Sequence, residues 1–518
     1  MAFVLIGFMG AGKSTAAAEL AEALGSTARD SDQLLAERFG HPVAREFELS
    51  GEAAFRAAEE DLVCGLLDDA ADDEVIALGG GSILSERTRE ALADHVTVLL
   101  DVEPEIAWER VHTQADGAER PLAQSYEDFY VLYTSRSALY ERLADAIFID
   151  LPLGGTARTL AGLRALAGAP KGVRLLWAHS ASGEYPVLVG RGLLEGLDAY
   201  ELGRIWPLDR IRSRPFCVSD ETVDGLYGER LGEMAAMVAI VPGEQHKTLA
   251  SAERVWQALA GAGMTRADHI VALGGGVVGD LAGFCAGTFQ RGVPVVQVPT
   301  TLVAQVDSAY GGKTGVDLPE AKNYVGVYHQ PAGVLVDPDM LTTLPAAELA
   351  SGWVEVLKTA LIAGGWLWET VAAGGAVDER VIFECARTKL TAVAADERDG
   401  GRRQVLNLGH TLGHALETAT GYARYRHGEA VGLGLLAALK LSGQSGLREQ
   451  VRELMLARGL PVGIDSDISI DSVLQAMTRD KKRLGAEVPF VLVNAPGDVV
   501  HGRTLDSDDV RAAVAELM

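Results

Sequence analysis

The sequence predicts an α/β chain of more than one domain: a unit built around a parallel sheet, then a second α/β region that gives way to helices. Three observations carry that expectation. The segment GFMGAGKS at 7–14 fits G-x-x-x-x-G-K-[ST] and stands between an apolar run at 3–6 and a helix-like stretch at 15–24, the strand-loop-helix setting of a phosphate-binding loop. Strand-like runs at 3–6, 75–78, 96–100 and 146–149 alternate with helix-like stretches over the first 150 or so residues, the pattern of a compact α/β unit. Further strand-like runs at 185–189, 216–218, 238–241, 270–273 and 295–298 form a second series, and beyond residue 340 helices dominate.

Length agrees, because 518 residues exceed what one hydrophobic core serves. An Ala-, Gly- and Leu-rich last helix and a short GAPKG connector at 154–172 put the boundary near Pro170. The string ALGGG recurs at 77–81 and 272–276, but its flanks differ, so it marks two independent strand-to-glycine turns. Hydrophobic residues at 48%, aromatics at 6% and 59 glycines describe a globular chain rich in tight turns. A net charge of −26 leaves no broad basic surface for a nucleic acid backbone, so anionic ligands need local clusters of Lys and Arg. Cys64, Cys217, Cys285 and Cys385 lie far apart without a C-x-x-C pair, which argues against a disulfide framework or a thiolate zinc site. No apolar run reaches the roughly 18 residues that span a bilayer, and a reducing cytoplasm is the expected compartment.

In the phosphate loop, Gly10, Ala11, Gly12, Lys13, Ser14 and Thr15 are the expected cradle for a triphosphate. Backbone N–H groups meet the phosphate oxygens, Lys13 brings positive charge to the β and γ phosphates, and the Ser14 hydroxyl suits Mg²⁺. Asp30 and Asp32 in RDSD follow about twenty residues later, where the end of a second strand brings two carboxylates beside metal and nucleophile. Arg56, Arg120 and Arg136 each interrupt segments otherwise short of positive charge; taken singly, each reads equally well as a solvated surface arginine. In order, GxxGxGKS, DSD, GExxFRxxE at 51–59, GGG at 79–81, ERPL and SRSALY resemble the shikimate kinase family over residues 1–167. The resemblance implies ATP-dependent phosphorylation of a small cyclic hydroxy acid. It implies Asp32 as base on the ring hydroxyls, Arg56 and Arg136 as carboxylate clamp, Gly79, Gly80 and Gly81 as backbone contacts, Arg120 on a lid over the phosphates, Ser14 as a direct Mg²⁺ ligand and Asp30 as one through water. Another small-metabolite kinase of similar build is the runner-up.

In the second region GGGVVGD at 274–280 follows a strand and enters a helix, a weak dinucleotide signal because the spacing is not G-x-G-x-x-G. His410 and His414 in NLGHTLGHALE sit four apart on an expected helix, facing one side. With His427 in RHGEAV and Glu355 in GWVEVLK they supply nitrogen and oxygen donors suited to Zn²⁺ with an open position, against the alternative of core histidines satisfied by hydrogen bonds. HTLGH lacks the glutamate of H-E-x-x-H, so a zinc peptidase is disfavoured. Arg291, Lys313, Lys322, Lys358, Lys389, Arg403, Lys481 and Lys482 crowd this acidic region and point to a highly anionic ligand.

The order VPGEQHK, GGGVVGD, QRGVPVVQVPTTLVAQVDSAYGGKTG, KNYVG, SGWVEVLK, LNLGHTLGHALE, RHGEAVG and DKK resembles the 3-dehydroquinate synthase family over residues 173–518, after a linker at 168–172. That implies an α/β NAD-binding half at 173–339 and a mostly helical metal and substrate half at 340–518. It implies Glu355, His410 and His427 as ligands of zinc, or of cobalt in its place, and His414 as a proton-handling group near the substrate. Asp220, Glu244, Lys247, Gly275, Gly276, Val277, Asp280, Thr300, Thr301 and Thr343 match NAD positions, as do Lys313 and Lys322. Asp307, Lys313, Lys322, Asn323, Lys358, Lys389, Arg403, Asn407 and one of Lys481 and Lys482 match the site of the seven-carbon phosphate, with Lys313, Lys358, Asp307 and Arg403 among its catalytic groups. Arg291 in such enzymes reaches a neighbour's phosphate site, so a homodimer is implied.

Two departures stand out. Trp353 and Val354 replace a smaller pair before the metal glutamate, and Asp399 replaces a frequent Glu, which puts one polar contact near the substrate in doubt. The implied chemistry is oxidation of a metal-bound ring hydroxyl by NAD⁺, elimination of phosphate from the acidified carbon, return of the hydride, ring opening and aldol closure, without net redox change. A bifunctional enzyme of aromatic amino acid biosynthesis is the expectation. Competing readings are a P-loop kinase joined to a metal-dependent polyol dehydrogenase, against which the phosphate-grasping lysines argue, and a nucleotide sensor regulating the second half.

Overall fold

The structure, a computed structural model, describes residues 1–113, 125–195, 199–318, 321–481 and 489–518. They form two compact units: Met1–His179 with Tyr185–Leu188 and Arg204–Pro207, and the remainder. Arg120 and Lys482 lie outside the described residues. Among the described residues no helix is long and apolar enough to cross a membrane, and all four cysteines are free thiols in buried positions.

In the first unit β1 (Phe3–Ile6), β2 (Ala28–Asp30), β3 (Val75–Ala77), β4 (Val96–Asp101), β5 (Ala146–Ile149) and β6 (Arg174–Ser180) lie in the order β2-β3-β1-β4-β5-β6, each adjacent pair parallel. Strands buried on both faces carry unbroken apolar runs, and FVLI, VIA and AIFI are buried at every position. The helix Lys13–Leu24 turns Ala16, Ala17, Leu20 and Ala21 inward, at the spacing that puts them on one face, and stops at Gly25, whose φ of 66° suits a residue without Cβ. Because neighbouring strands are parallel, the carboxyl ends of β1, β2 and β3 share one edge, so Gly7, Asp30 and Leu78 all leave the sheet on the same side.

β7 (Gly183–Val189) falls mostly in the first unit, and the second unit holds β8 (Pro215–Asp220), β9 (Ala236–Ile240), β10 (His269–Gly274) and β11 (Val295–Pro299), then an antiparallel hairpin of β12 (Lys313–Leu318) and β13 (Ala321–Tyr328), and β14 (Gly333–Val336). The parallel order β14-β11-β10-β8-β9 encloses a core with Phe216, Val218, Ile270, Ala272, Leu281 and Val295. Helices dominate the rest, with one further hairpin of β15 (Pro489–Ala495) and β16 (Asp498–Thr504).

Two glycines let the helices of this part close together. A Cβ on Gly434, in the helix His427–Leu441, would lie 1.9 Å from the carbonyl oxygen of Gly409, and one on Gly428 would lie 1.9 Å from that of Ser351. Backbone cannot retreat as a side chain can, so Gly434→Ala is expected to destabilise the second unit by roughly 1–3 kcal/mol or more. A urea titration should show its midpoint lowered with the slope unchanged.

Candidate active sites

The first site collects at the shared carboxyl edge of β1, β2 and β3. Gly10 and Gly12 have φ of 81° and 89°, and a Cβ on Gly10 would lie 2.3 Å from the carbonyl oxygen of Ala107, so the loop can take this path only with glycine there. Gly12 caps the helix Lys13–Leu24 without a side-chain hydrogen bond, which leaves first-turn N–H groups for an anion. Lys13 Nζ donates to the carbonyl oxygens of Gly7 at 2.9 Å and Phe8 at 3.2 Å, folding its charge over the loop. Ser14 Oγ donates to Asp30 Oδ2 at 2.5 Å. The other Asp30 oxygen accepts from the backbone N of Asp32 at 2.9 Å and caps the helix Ser31–Phe39, which fixes Asp32 in the first turn.

Around Asp32 stand the groups picked out as substrate contacts. A Cβ on Gly79 would lie 2.5 Å from Asp32 Oδ1, and one on Gly81 would lie 2.0 Å from Arg56 Nη1. Arg136, buried, donates to the carbonyl oxygen of Gly80 at 3.2 Å, and its burial, with the charge of Arg56 nearby, holds its pKa below the usual arginine value. Asp32, Arg56, Arg136 and Gly79 to Gly81 are therefore brought together. Two guanidinium groups, one largely desolvated, make a receptor for a carboxylate.

The second site lies among helices. Glu355, fully buried on the helix Ala346–Ala363, has Oε1 3.7 Å from His410 Nε2 and 3.3 Å from His427 Nε2. Ligand atoms of these three residues can all lie within 4.8 Å of one another. Gly409, with φ of 79°, opens the helix His410–Ala419, and His410 Nδ1 faces the carbonyl oxygen of Leu408 at 3.1 Å. Burial and the charge of Lys358 push His410 down to about 3. Burial opposes charge on His427 too, but Glu355 and Glu417 outweigh it and raise the pKa to about 9. His414 is exposed, its ring 5.2 Å from that of His410. Two imidazoles and a buried carboxylate, both of whose oxygens lack a well-formed hydrogen bond, fit a divalent zinc-like cation.

Cations adjoin this cluster. Lys358 Nζ lies 2.6 Å from Glu355 Oε2 and 2.9 Å from Asp307 Oδ2, and Lys389 donates to the same aspartate and to its carbonyl oxygen. Burial alone would raise the Asp307 pKa, yet Lys358 and Lys389 hold it well below the usual carboxylate value. Lys322 Nζ sits 3.1 Å from Glu244 Oε1. Lys247 in turn reaches Glu244 at 2.8 Å, Asp280 at 3.1 Å and Asn323 Oδ1 at 2.7 Å. Lys313 pairs with Asp399, so the shorter carboxylate at 399 finds a partner in the cationic group. Arg403 is buried on the carbonyl oxygens of Glu397 at 2.6 Å and Gly311 at 3.1 Å. Asn407 ends the turn Arg402–Asn407, just ahead of His410. Lys481 ends the helix Ile470–Lys481. Arg291 is exposed, with φ of 70° between Gln290 and Gly292, which are also at positive φ.

The positions matched to a dinucleotide in the sequence follow several parallel strands, Gly275 to Val277 after β10, Thr300 and Thr301 after β11 and Asp220 at the end of β8. Gly275 caps the helix Gly276–Thr288 without a side chain bond; a Cβ there would lie 2.8 Å from Thr301 Cγ2, and one on Gly276 3.1 Å from Ser308 Oγ. Val277 is in the first turn. The Thr300 hydroxyl is buried without a hydrogen-bond partner among the described residues. Asp220 Oδ1 caps the helix Glu221–Tyr227, and Thr343 Oγ1 meets Tyr227 Oη at 2.5 Å. A bare helix N-terminus behind glycines, at the end of a parallel strand, fits a pyrophosphate.

The family models decide what these sites belong to. Those for the N-terminal and C-terminal parts of 3-dehydroquinate synthase match residues 237–351 and 352–483, and that for shikimate kinase matches residues 9–151. The 3-dehydroquinate synthase of Halorhodospira halophila is 42% identical over 345 residues, 63% of this chain and 95% of that one. The chain belongs to the 3-dehydroquinate synthase family, with a shikimate kinase domain ahead of it. The 3-dehydroquinate synthase of Symbiobacterium thermophilum is likewise 42% identical, over 63% of this chain and 96% of its own. A solved 2-epi-5-epi-valiolone synthase from Streptomyces hygroscopicus subsp. jinggangensis 5008, with NAD⁺ and Zn²⁺ bound, aligns with a TM-score of 0.58 and 28% identity over 66% of this chain and 99% of its own.

In the kinase part, Glu59 and Tyr140 escaped the sequence-based selection. Glu59, buried, takes Arg56 Nη1 at 2.5 Å on one oxygen and Ser82 Oγ at 2.8 Å on the other, and Tyr140 donates to the Gly80 carbonyl oxygen. Both stand inside the quoted motifs GExxFRxxE and SRSALY, so the signal was a carboxylate three residues from an arginine and an aromatic four after one. In the synthase part the same holds for Glu417, the last letter of LNLGHTLGHALE.

Proposed function

We propose that this chain phosphorylates shikimate to shikimate 3-phosphate at its first site and converts 3-deoxy-D-arabino-heptulosonate 7-phosphate to 3-dehydroquinate at its second, with the residues above in the following roles. Arg56 and Arg136 hold the shikimate carboxylate while Asp32 orients the attacking hydroxyl and accepts its proton. Gly10 to Thr15 and Lys13 hold ATP, Ser14 and Asp30 serve Mg²⁺, and Arg120 belongs to the lid. A chain cut into domains at 167 and 173, with an NAD-binding half to 339, accommodates both.

At the second site Glu355, His410 and His427 would hold zinc or cobalt, and the glycines after β10 and Thr300 and Thr301 after β11, with Val277, Asp220, Glu244, Lys247, Asp280 and Thr343, would hold NAD. When bound, the pair supplies Lewis acidity at a ring hydroxyl and a reversible hydride acceptor. Lys313, Lys358, Lys389, Arg403, Asn323, Asn407 and Lys481 or Lys482 then fix the phosphate and ring hydroxyls. Asp307 stands between Lys358 and Lys389 and favours the charged form of each, against the burial that lowers the Lys389 pKa, and His414 moves a proton at the exposed mouth. Arg291, exposed and set on a left-handed backbone, would complete the phosphate site of a second copy in a homodimer. A reducing cytoplasm suits the four buried thiols.

The single observation that carries this reading is the convergence of Glu355, His410 and His427 beside the Asp307, Lys358 and Lys389 group. The full chain, given NAD⁺ and zinc, should release phosphate from the heptulosonate phosphate without net NADH; separately it should form ADP only when shikimate is present. Accumulation of NADH with a polyol, or ADP formation indifferent to shikimate, would refute it.

A further inference from the structure

Glu417 sits two turns after His410 on the same helix, and it is only 3% exposed. A carboxylate so buried needs donors, and one of its oxygens has two. Oε1 lies 3.2 Å from His427 Nδ1 and 3.4 Å from Lys322 Nζ. The opposite nitrogen of the same imidazole, Nε2, points to Glu355 Oε1 at 3.3 Å. His427 is thus held by a carboxylate on each side, one at the nitrogen aimed into the cluster and one at the nitrogen aimed away from it.

We infer that Glu417 is a positioning residue for the metal centre: it accepts the Nδ1–H of His427, fixes the tautomer that leaves Nε2 free as a ligand, and makes that nitrogen a stronger donor. The inference rests on the proposed metal site of Glu355, His410 and His427. A different use of the same groups has to be weighed, since His414, Glu417 and His427 could also hold an ion among themselves. His414 is exposed, however, and Glu417 Oε1 already lies within reach of His427 and Lys322. A ligand role would also require His427 to turn Nδ1 to the metal and give up Nε2 to Glu355. The two carboxylates therefore have different duties, Glu355 toward the ion and Glu417 behind the histidine. Through Lys322, which also meets Glu244 at 3.1 Å, Glu417 stays ion-paired whether or not the histidine carries a second proton.

The test is a zinc titration of the full chain against a chelating dye, with the visible spectrum of the cobalt form as second readout. Glu417→Gln keeps the shape and an acceptor oxygen but removes the charge, and should weaken zinc binding by roughly 10–100-fold, shifting the cobalt bands while keeping their intensity. Glu417→Leu removes the acceptor as well and should weaken it further, and Glu355→Gln should lose tight binding altogether. Equal affinity for wild type and Glu417→Gln overturns the inference and leaves the metal site standing. Loss in Glu417→Gln as complete as in Glu355→Gln overturns it in favour of Glu417 as a ligand. Zinc binding untouched by Glu355→Gln overturns the metal site itself, and the role of Glu417 with it. Folding is checked apart from metal by far-ultraviolet circular dichroism of each metal-free variant, unchanged in all of them.

Discussion

Asp32→Asn is expected to lower shikimate phosphorylation by about 10²–10⁴-fold, the range of a lost general base, with ATP affinity nearly unchanged. The physical ground is the division of labour at the end of β2. Asp30 spends one oxygen on the Ser14 hydroxyl and the other on the backbone N of Asp32, so it belongs to loop and helix cap. Asp32 faces Gly79, where a Cβ would come within 2.5 Å of its carboxylate, and so lies on the side of Arg56 and Arg136. Asparagine fits the same space but cannot accept the proton of an attacking hydroxyl. Steady-state ADP formation at saturating shikimate, beside a fluorescent nucleotide titration, separates turnover from ATP binding. Turnover falling less than threefold would remove Asp32 from the reaction. Phosphate release from the heptulosonate phosphate should not change in this variant.

Glu355→Gln should be the most damaging single change at the second site. The glutamate is fully buried, and although burial favours its neutral form, Lys358, His427 and His410 hold its pKa below the ordinary value. Removing the charge leaves Lys358 with Asp307 alone, at 2.9 Å, and takes the anionic ligand from a set of three. Breaking a buried pair by neutralising one member costs about 3–5 kcal/mol, so stability should fall together with metal affinity. Phosphate release should drop by at least about 10³-fold, on the scale of several kcal/mol of lost Lewis-acid stabilisation. Shikimate phosphorylation, run by another compact unit, should persist in the same preparation.

Much of both sites was legible in the sequence because the chemistry depends on local text. The phosphate loop is one contiguous segment whose glycines are needed where φ is positive, and it appears at the end of β1 as the motif demands. Histidines 410 and 414 do share one helix. The strands at 3–6, 146–149 and 270–273 stand out because parallel strands buried on both faces are apolar throughout. What stayed hidden depends on pairing across long separations. The hairpin of β12 and β13 reads as loop text, GGKTG and AKN, since its residues are polar and glycine-rich and its order comes from cross-strand register. The strand Arg174–Ser180, just past the connector, gives little sign that it pairs beside β5 in the first compact unit. That His427 and Glu355, 72 residues apart by their numbers, could share an ion was suggested by donor chemistry, but the choice of His410 over His414 as the third ligand came only from the resemblance, because no periodicity links helices so far apart. Glu59 and Glu417 were overlooked for a related reason: a carboxylate that orients another side chain looks like any surface acid until its burial is known.

The most direct measurement of the central claim follows phosphate release from the heptulosonate phosphate while a zinc-selective chelator, in excess Mg²⁺, strips metal from the full chain, with shikimate-dependent ADP formation read in parallel. Two separate sites, one held together by Glu355, His410 and His427, predict that phosphate release falls to background and returns with one equivalent of zinc while ADP formation stays level. Phosphate release that survives complete removal of metal, or two activities that rise and fall together, would contradict it.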